Sequence, residues 1–258
     1  MVKRDELINA IVQIFGKDLL RHAEQKDDLA NGVQILGARD VQKVALGVTV
    51  NEDFLKEGIA SGANFFITHH GLDARVHKSR FPKSTQKRLR LIFQNNLTIA
   101  SFHYTLDAHP EIGNNATIIK KLGANQGEPL FDDWGYVGKF NIPQRVTTLA
   151  EKCSQIMEHD VLAIYSGPER VNTIGVCSGA AKPYAEHIAE MEQKGVELFI
   201  SGETSESIPN RMKESEINYF VCGHYATEVF GVQELGKALK SRFKDKLEVE
   251  FIDIPNPI

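Results

Sequence analysis

The chain has 258 residues, of which 42% are hydrophobic and 25% are charged, with a formal net charge of −4. This composition is typical of a soluble globular protein, and the charge excludes a general attraction to nucleic acid or to an anionic membrane. No apolar run approaches the roughly 18 residues needed to cross a bilayer. The three cysteines lack Cys-x-x-Cys spacing and lie among apolar neighbours. We therefore expect reduced thiols and a cytoplasmic location.

The first half of the chain predicts alternating helices and strands. Apolar residues at helical spacing predict an opening helix that ends at Gly16, and Asn51 is placed to cap a helix near residues 52–61. A third helix is predicted near residues 84–95. Apolar and β-branched runs predict buried strands at 33–36, 44–50, 64–68 and 97–102. Such alternation favours parallel or mixed sheets with helices packed on them.

The second half repeats this order of elements. Helices are predicted at 143–157 and 183–194, and strands at 161–165, 172–177, 196–201 and 217–222. Residues 62–68 (GANFFIT) match 195–201 (GVELFIS), and residues 103–107 (HYTLD) match 224–228 (HYATE). We therefore predict an internally duplicated α/β subunit, with two similar halves of mixed sheets flanked by helices. The predicted halves are residues 1–130 and 131–258, with turn residues near 125–135 and a metal site between them.

Metal-competent side chains follow the predicted strands in both halves. Ligand sites in α/β sheets lie beyond the carboxyl ends of the strands, and imidazole and carboxylate suit Zn²⁺, Fe²⁺ and Mn²⁺. The candidate site residues are His69, His70, His103, Asp107, Glu203, His224 and Glu228. Four other histidines are interpreted as surface or hydrogen-bonding residues, namely His22, His77, His159 and His187.

The spacing of these residues suggests how they share a site. The His-x-x-x-acid pairs at 103–107 and 224–228 bring both side chains to one side of a first helical turn, and the acid of either pair is a candidate bridge between two metals. On an extended segment His69 and His70 point in opposite directions, which suits two different ions better than one. Glu203 either supports the site or caps the helix that follows it.

Two further polar features lie near these residues. Asn114 and Asn115 are interpreted either as amides that face a substrate or as polar groups on a helix surface. Seven lysines and arginines lie within 75–90, with no acid after Asp73. Such a run is usually a solvated helix face, but its position also suits attraction of phosphate-bearing substrates. Phe81 is the only aromatic residue interleaved with these basic residues, so a stacking platform for nucleic acid is weakly supported.

Motifs of several other chemistries are absent from the sequence. The chain has no Gly-x-x-x-x-Gly-Lys-Ser/Thr loop, no Gly-x-Gly-x-x-Gly after a strand and no Gly-x-Ser-x-Gly elbow. We therefore expect neither an organic redox cofactor nor an acyl-enzyme serine.

Four motifs in order carry a family resemblance. They are Asn31-Gly-Val-Gln-Ile-Leu-Gly37, Ile67-Thr-His-His-Gly-Leu72, the segment 102–115 (FHYTLDAHPEIGNN) and Gly223-His-Tyr-Ala-Thr-Glu228. Together they resemble the motifs of the YbgI-like, or NIF-three-like, dinuclear metal proteins, often labelled GTP cyclohydrolase I type 2 homologues. The resemblance runs from the first helix to the last. It implies a duplicated α/β subunit, a toroidal homohexamer and two adjacent divalent ions per subunit, of iron, zinc or manganese.

The resemblance also implies roles for particular residues. The metal ligands of the family fall on His69, His70, Asp107, His224 and Glu228. His103 falls on a family histidine close to the metals. Many members have Thr-Asn-Leu-Asp where this chain has Tyr-Thr-Leu-Asp at 104–107. The carboxylate ligand is therefore kept while the asparagine is replaced.

Two functions follow as hypotheses. The first is a metal-dependent hydrolase acting on a nucleotide, in the manner of a GTP cyclohydrolase, or on a related small molecule. In this hypothesis Glu203, or a ligand carboxylate during turnover, moves the proton, and His103 is a second candidate. The alternative is a metal-containing binding or scaffold protein that recognises a partner or nucleic acid without turnover. The basic run at 75–90 is the feature that favours the alternative.

Overall fold

The computed structural model describes residues 1–76 and 78–258, so that His77 lies outside the described residues. The chain forms two compact units. Unit 1 comprises Met1–Leu106 and Gly231–Ile254, and unit 2 comprises Asp107–Phe230 and Pro255–Ile258. Each unit has its own sheet with helices packed on it.

Unit 1 is built on a five-stranded sheet in the order β13-β4-β5-β6-β2, in which only β2 is antiparallel to its neighbour. A second, two-stranded sheet pairs β1 with β3. The strands are β1 (Val2–Lys3), β2 (Asn31–Ile35), β3 (Asp40–Val41), β4 (Lys43–Thr49), β5 (Phe65–His70), β6 (Thr98–Phe102) and β13 (Glu248–Phe251). The helices are α1 (Arg4–Phe15), α2 (Lys17–Lys26), α3 (Glu52–Ala60) and α4 (Lys83–Gln94), with a short 3₁₀ turn at Lys244–Lys246.

Local sequence explains the first β-α-β segment of unit 1. The side chain of Asn51 accepts a hydrogen bond from the backbone N–H of Phe54 at 2.8 Å, and this caps α3. The helix is followed by Gly62, whose φ of +87° suits a residue without a Cβ. Phe66 of the next strand packs with Phe54 in one buried apolar cluster. These contacts fix the position of β5, whose last two residues are histidines.

Unit 2 is built on a six-stranded sheet in the order β7-β8-β10-β11-β12-β9. Strands β10, β11 and β12 are parallel to one another, and the other three pair antiparallel. The strands are β7 (Asn125–Leu130), β8 (Gly135–Arg145), β9 (Leu162–Ile164), β10 (Arg170–Cys177), β11 (Leu198–Ser201) and β12 (Asn218–Val221). The helices are α6 (Asn114–Leu122), α7 (Val146–Met157), α8 (Ala185–Gln193) and α9 (Ile208–Glu214).

Both faces of the unit 2 sheet are covered by apolar packing. Along β11, Leu198 and Ile200 belong to one buried cluster, while Phe199 between them belongs to another. Because successive side chains of a strand point to opposite faces, the two clusters lie on the two faces of the sheet. This packing leaves the strand ends as the places where polar side chains gather.

Two helices carry the chain from one unit to the other. Helix α5 (His103–Ala108) runs from unit 1 into unit 2, and α10 (His224–Phe243) runs from unit 2 back into unit 1. Each of these helices begins with the histidine of a predicted His-x-x-x-acid pair. Each also carries the acid of that pair one turn later.

The structure confirms the predicted α/β class and differs from the predicted elements in several places. The helix predicted at 143–157 begins only at Val146, because residues 143–145 belong to β8, where Arg145 pairs with Arg170. Strand β5 continues through His69 and His70 instead of ending before them. Helix α2 and the hairpin of β7 and β8 were not predicted. Helix α2 consists mostly of charged and polar residues, and β7 is exposed without apolar alternation.

The compact units differ from the predicted halves of 1–130 and 131–258. The turn residues Asp132 and Asp133 join β7 to β8 within unit 2, so the predicted boundary falls inside a hairpin. The C-terminal strand β13 pairs with β4 and belongs to unit 1. The two sheets nevertheless share the order β4-β5-β6-β2 and β10-β11-β12-β9, each ending on an antiparallel strand. Internal duplication stays a prediction that this correspondence favours.

No helix within residues 1–76 or 78–258 combines the length and apolar character that a membrane span requires. The three cysteines, Cys153, Cys177 and Cys222, are free thiols and are buried, as their apolar sequence neighbours predicted.

We expect Asn51→Ala to lower the free energy of unfolding by about 1 kcal/mol, because α3 loses its N-cap hydrogen bond. The melting temperature should fall by about 2–4 °C for a chain of this size. Thermal unfolding followed by circular dichroism measures the change. Asn210→Ala, on an exposed position of α9, is the control and should leave the melting temperature unchanged or slightly higher. Equal melting temperatures for Asn51→Ala and wild type would contradict the assigned cap.

Candidate metal centre

Three histidines of unit 1 gather at the ends of two neighbouring parallel strands. His69 and His70 are the last residues of β5, and His103 follows β6 as the first residue of α5. The ring centroid of His69 lies 4.6 Å from that of His70 and 4.7 Å from that of His103. Each residue offers a ring nitrogen within 4.8 Å of the nitrogens of the other two. Three imidazoles at this separation are a ligand set that suits a divalent ion.

Hydrogen bonds fix which nitrogen of these rings faces the cluster. The Nδ1 of His69 donates to the carbonyl oxygen of Phe102 at 3.3 Å, and the Nδ1 of His103 donates to Asp27 Oδ2 at 2.8 Å. A metal-binding histidine typically uses one nitrogen for the ion and donates from the other to an oxygen. In both residues this arrangement leaves Nε2 as the nitrogen that faces the cluster. The Nδ1 of His70 lies 3.0 Å from the hydroxyl of Thr49.

Asp27 is the residue that holds His103 in place. Its Oδ2 also accepts from the backbone N–H of Tyr104 at 3.1 Å and from the amide of Asn31 at 2.9 Å, and its Oδ1 accepts from the N–H of Leu29 at 2.9 Å. The side chain is only 5% exposed. Burial by itself would raise the pKa of this carboxyl, but the hydrogen bonds from His103, Leu29 and Asn31 outweigh it and lower the pKa well below its usual value.

The motif at residues 31–37 serves as a support for the strand ends. Asn31 Oδ1 accepts from both the backbone N–H and the hydroxyl of Thr105 at 2.9 Å, which ties the first turn of α5 to β2. Gln34 accepts from the N–H of Leu72 at 2.8 Å and donates to its carbonyl at 3.0 Å. These bonds fix the backbone at Leu72, two residues after His70.

Unit 2 places a second polar group at the carboxyl ends of β10, β11 and β12. Asp107, from α5, accepts hydrogen bonds on Oδ1 from Ser178 Oγ at 2.7 Å and from Asn114 Nδ2 at 2.9 Å. Asn115 donates to the carbonyl oxygens of Asp107 and Trp134 at 3.1 and 2.8 Å. Both asparagines are fully buried, so they position the chain around Asp107 and are neither surface groups nor exposed amides.

His224 lies between two carboxylates in unit 2. Its Nδ1 is 2.5 Å from Glu203 Oε1, and its Nε2 is 3.1 Å from Glu228 Oε1, one turn further along α10. Burial opposes the charged ring, but the hydrogen bonds and charges of Glu228 and Glu203 raise the pKa of His224 to about 9. Hydrogen bonds from His224 and Lys182 in turn lower the pKa of Glu203. The carboxylates of Glu228 and Glu203 thus favour a positive charge at His224.

Gly179 provides the space for the Glu228 carboxylate. It follows β10 with a φ of +64°, and a Cβ at this position would lie 2.2 Å from Glu228 Oε1 and 3.3 Å from His224 Nε2. The backbone can approach the carboxylate this closely only because the residue is glycine. The N–H of Gly179 donates to Thr227 Oγ1 at 3.0 Å, which holds the loop against α10.

The sequence-predicted residues are found in both units. Unit 1 contains His69, His70 and His103, and unit 2 contains Asp107, Glu203, His224 and Glu228. The rings of His69 and His70 share one cluster, although alternation along an extended strand predicted opposite directions. Glu203 bonds to Lys182 and His224 instead of capping a helix, since α9 begins five residues later at Ile208.

Sequence reasoning missed the residues that hold these side chains. They are Asp27, Thr49, Ser178 and Lys182. Each lies far along the chain from the side chain that it supports, so spacing carries no signal for it.

His159 and His187 make local hydrogen bonds, as their interpretation predicted.

Fold and site together define an α/β protein with imidazole and carboxylate groups able to hold metal ions. The Duf34/NIF3 (NGG1p interacting factor 3) family is matched by residues 2–257, and the chain belongs to this family. A protein of Yersinia pestis named "GTP cyclohydrolase 1 type 2 homolog" is 33% identical over 233 residues, which cover 90% of this chain and 92% of that protein. A Buchnera aphidicola protein of the same name is 35% identical, over 91% and 93% of the two chains.

Solved structures share the fold. The protein ybgI, described as of unknown function, is 31% identical with a TM-score of 0.87, and the match covers all of both chains. HcgD from Methanocaldococcus jannaschii is 23% identical with a TM-score of 0.84, over 98% of both chains, and this likeness concerns the fold alone. The resemblance inferred from four sequence motifs is thereby confirmed.

We expect Asp27→Asn to weaken metal binding about 10- to 100-fold, because a neutral amide no longer holds His103 as a carboxylate does. Metal affinity measured by competition with a chromogenic chelator tests this. Asp28→Asn removes the same charge from the exposed neighbouring residue and should bind metal like wild type. Equal affinities for the two variants would rule out the orienting role of Asp27.

We expect Gly179→Ala to lose bound metal, because the new methyl group displaces the carboxylate of Glu228. Gly195→Ala is a matched control, since Gly195 has the same φ of +64° and no atom lies within 4 Å of the place that a Cβ would take. Both variants should be destabilised by about 1 kcal/mol by backbone strain. Metal content per chain should fall only in Gly179→Ala, and a similar fall in both would contradict the assignment.

Proposed function

We propose that this protein is a dinuclear-metal-dependent hydrolase that acts on a nucleotide, as the GTP cyclohydrolase name of its relatives suggests, or on a related small molecule. The observation that carries the proposal is the cluster of His69, His70 and His103, in which hydrogen bonds at Nδ1 orient the ligand His69 and the neighbouring ring of His103. His69 is buried while His70 and His103 are partly buried, and imidazoles that donate from one nitrogen to a fixed oxygen are typical of metal sites.

Under this proposal the ligands of the two ions are His69, His70, Asp107, His224 and Glu228. The two helices that carry the chain between the units favour this assignment, because each begins with a His-x-x-x-acid pair. A divalent ion would also replace the proton that the carboxylates Glu203 and Glu228 favour on His224. The donors are of mixed type, so iron, zinc and manganese all suit them.

When bound, divalent ions in such a site supply Lewis acidity and lower the pKa of water toward about 7. Residues of the chain would move the proton and position the ligands. His103, held at Nδ1 by Asp27, is our candidate for moving a proton through Nε2. Glu203 is the second candidate, and its bonds to Lys182 and His224 also give it a positioning role.

We also infer a cytoplasmic, toroidal homohexamer, as the family resemblance implies. Large apolar side chains that are exposed in the single chain supply contact surface for such an assembly, for example Ile142 at 71% and Leu162 at 54% exposure. Light scattering coupled to size-exclusion chromatography should give a mass of about six chains. A monomer at micromolar concentration would overturn this part of the proposal.

We expect protein purified without added metal to contain about two divalent ions per chain, as a two-metal hydrolytic site requires. His69→Ala and Glu228→Gln should each contain fewer, because each loses a ligand. Mass spectrometry of metals on wild type and variants measures this, and thermal unfolding shows whether each variant is folded. Little metal in the wild type, even after reconstitution, would contradict the proposed centre.

Turnover is tested with a panel of nucleotides that includes GTP. His103→Ala and Glu203→Gln, each compared at equal bound metal, should reduce kcat if the residues move protons. Loss of metal with unchanged turnover per bound ion would assign them a positioning role instead. Unchanged metal and turnover in both variants would contradict both roles.

Absence of turnover on a fully metal-loaded protein would favour the alternative function, a binding or scaffold protein. The feature that favours it is α4, whose charged residues are all basic, namely Lys83, Lys87, Arg88 and Arg90. Salt-dependent nucleic-acid binding that falls when Lys83, Lys87 and Arg88 become alanine would then support it.

A further inference from the structure

A cavity of about 570 Å³ lies beside the histidine cluster of unit 1. His70 and Thr49 form one part of its wall, and Asp73, Arg75 and Arg88 form another. Apolar side chains, among them Val50, complete the lining. A volume of this size accommodates a small molecule of the size of a nucleotide. The cavity therefore joins a candidate metal ligand to the basic run at residues 75–90.

Two arginines of the cavity wall, Arg75 and Arg88, act on the carboxylate of Asp73. Asp73 accepts two hydrogen bonds from the guanidinium of Arg75, at 2.9 and 2.8 Å. Arg75, with a further contribution from the charge of Arg88, lowers the pKa of Asp73 to about 2. One carboxylate, that of Asp73, is therefore near two guanidinium groups. An anionic group next to Arg88 and Arg75 therefore meets two positive charges and one negative charge locally.

Arg88 is distinguished from the other basic residues of α4 by its position. It is half-buried and lines the cavity, whereas Lys87 forms an ion pair with Glu52 of α3 at 3.3 Å and Arg90 is exposed. No acidic residue lies between Asp73 and Asp107 in the sequence. An anion in the cavity therefore meets no repulsion from this stretch of the chain.

Asp28 is a second carboxylate in the cavity wall, and it balances the fixed charges. Because the wall as a whole is close to neutral, a general attraction for anions is not expected. Anion binding should instead be local, next to Arg75 and Arg88. A guanidinium suits this task because its planar donors match two oxygens of a phosphate group.

We propose that this cavity binds a phosphorylated small molecule and that Arg88 binds its phosphate group. The inference rests on the proposed function in that it places the anionic end of the hydrolase substrate in a cavity bounded by His70. It adds where the phosphate group of that substrate binds and the residue, Arg88, that determines specificity for it. Arg75 remains paired with Asp73 and contributes charge rather than the main contact.

The test is calorimetric titration of the metal-loaded protein with GMP and with guanosine, which differ only by the phosphate group. Wild type should prefer GMP. Arg88→Gln should reduce that preference about tenfold or more, since a charge-assisted contact is lost. Arg90→Gln removes the same charge from an exposed position of the same helix and should leave the preference nearly unchanged. Equal melting temperatures show that both variants are folded.

The outcomes separate this inference from the proposed function. If Arg88→Gln and Arg90→Gln reduce the preference for GMP equally, the effect comes from the overall positive charge of the helix and not from a contact of Arg88. That result would overturn the inference. No preference of the wild type for GMP would overturn it as well. An Arg88-dependent preference without turnover of any nucleotide would support the inference while the proposed hydrolase fails. Nucleotide turnover with an unchanged KM in Arg88→Gln would support the hydrolase and overturn the inference.

Discussion

The buried carboxylate of Asp27 holds together the part of unit 1 on which the histidine cluster depends. It accepts four hydrogen bonds, from a side chain and a backbone group of α5 and from two groups next to β2. A buried carboxylate is costly unless its oxygens are satisfied, so the bonds are kept together or lost together. The start of α5, and with it the ring of His103, is therefore held at the end of β6.

The same arrangement occurs in unit 2 with different residues. His224 begins α10 directly after β12, and Glu203 accepts from its Nδ1 as Asp27 does from that of His103. Both histidines thus have a carboxylate on one nitrogen and present the other to a candidate ligand set. The supporting acids come from different places, before β2 in one unit and after β11 in the other. Repetition of the strand order and of this orienting contact favours a common origin of the two sheets.

Much of the fold was predictable because buried strands and amphipathic helices leave periodic patterns. The strands β4, β5 and β6 and the cap at Asn51 follow from residue types that are neighbours in sequence. The candidate ligands were predictable because histidines and acids recur with the same spacing after strands in both halves of the sequence. The hairpin of β7 and β8 was missed because its exposed first strand has no apolar alternation.

Motifs, periodicity and donor chemistry are local properties, and they suffice to predict the family, the α/β class and the candidate ligands. The residues that orient those ligands, and the division into units, depend on contacts between distant parts of the chain. Asp27 and His103 are 76 residues apart, and β13 joins β4 across almost the whole chain. Such contacts depend on how strands pair and helices pack. No local pattern encodes that pairing, so only the folded chain shows it.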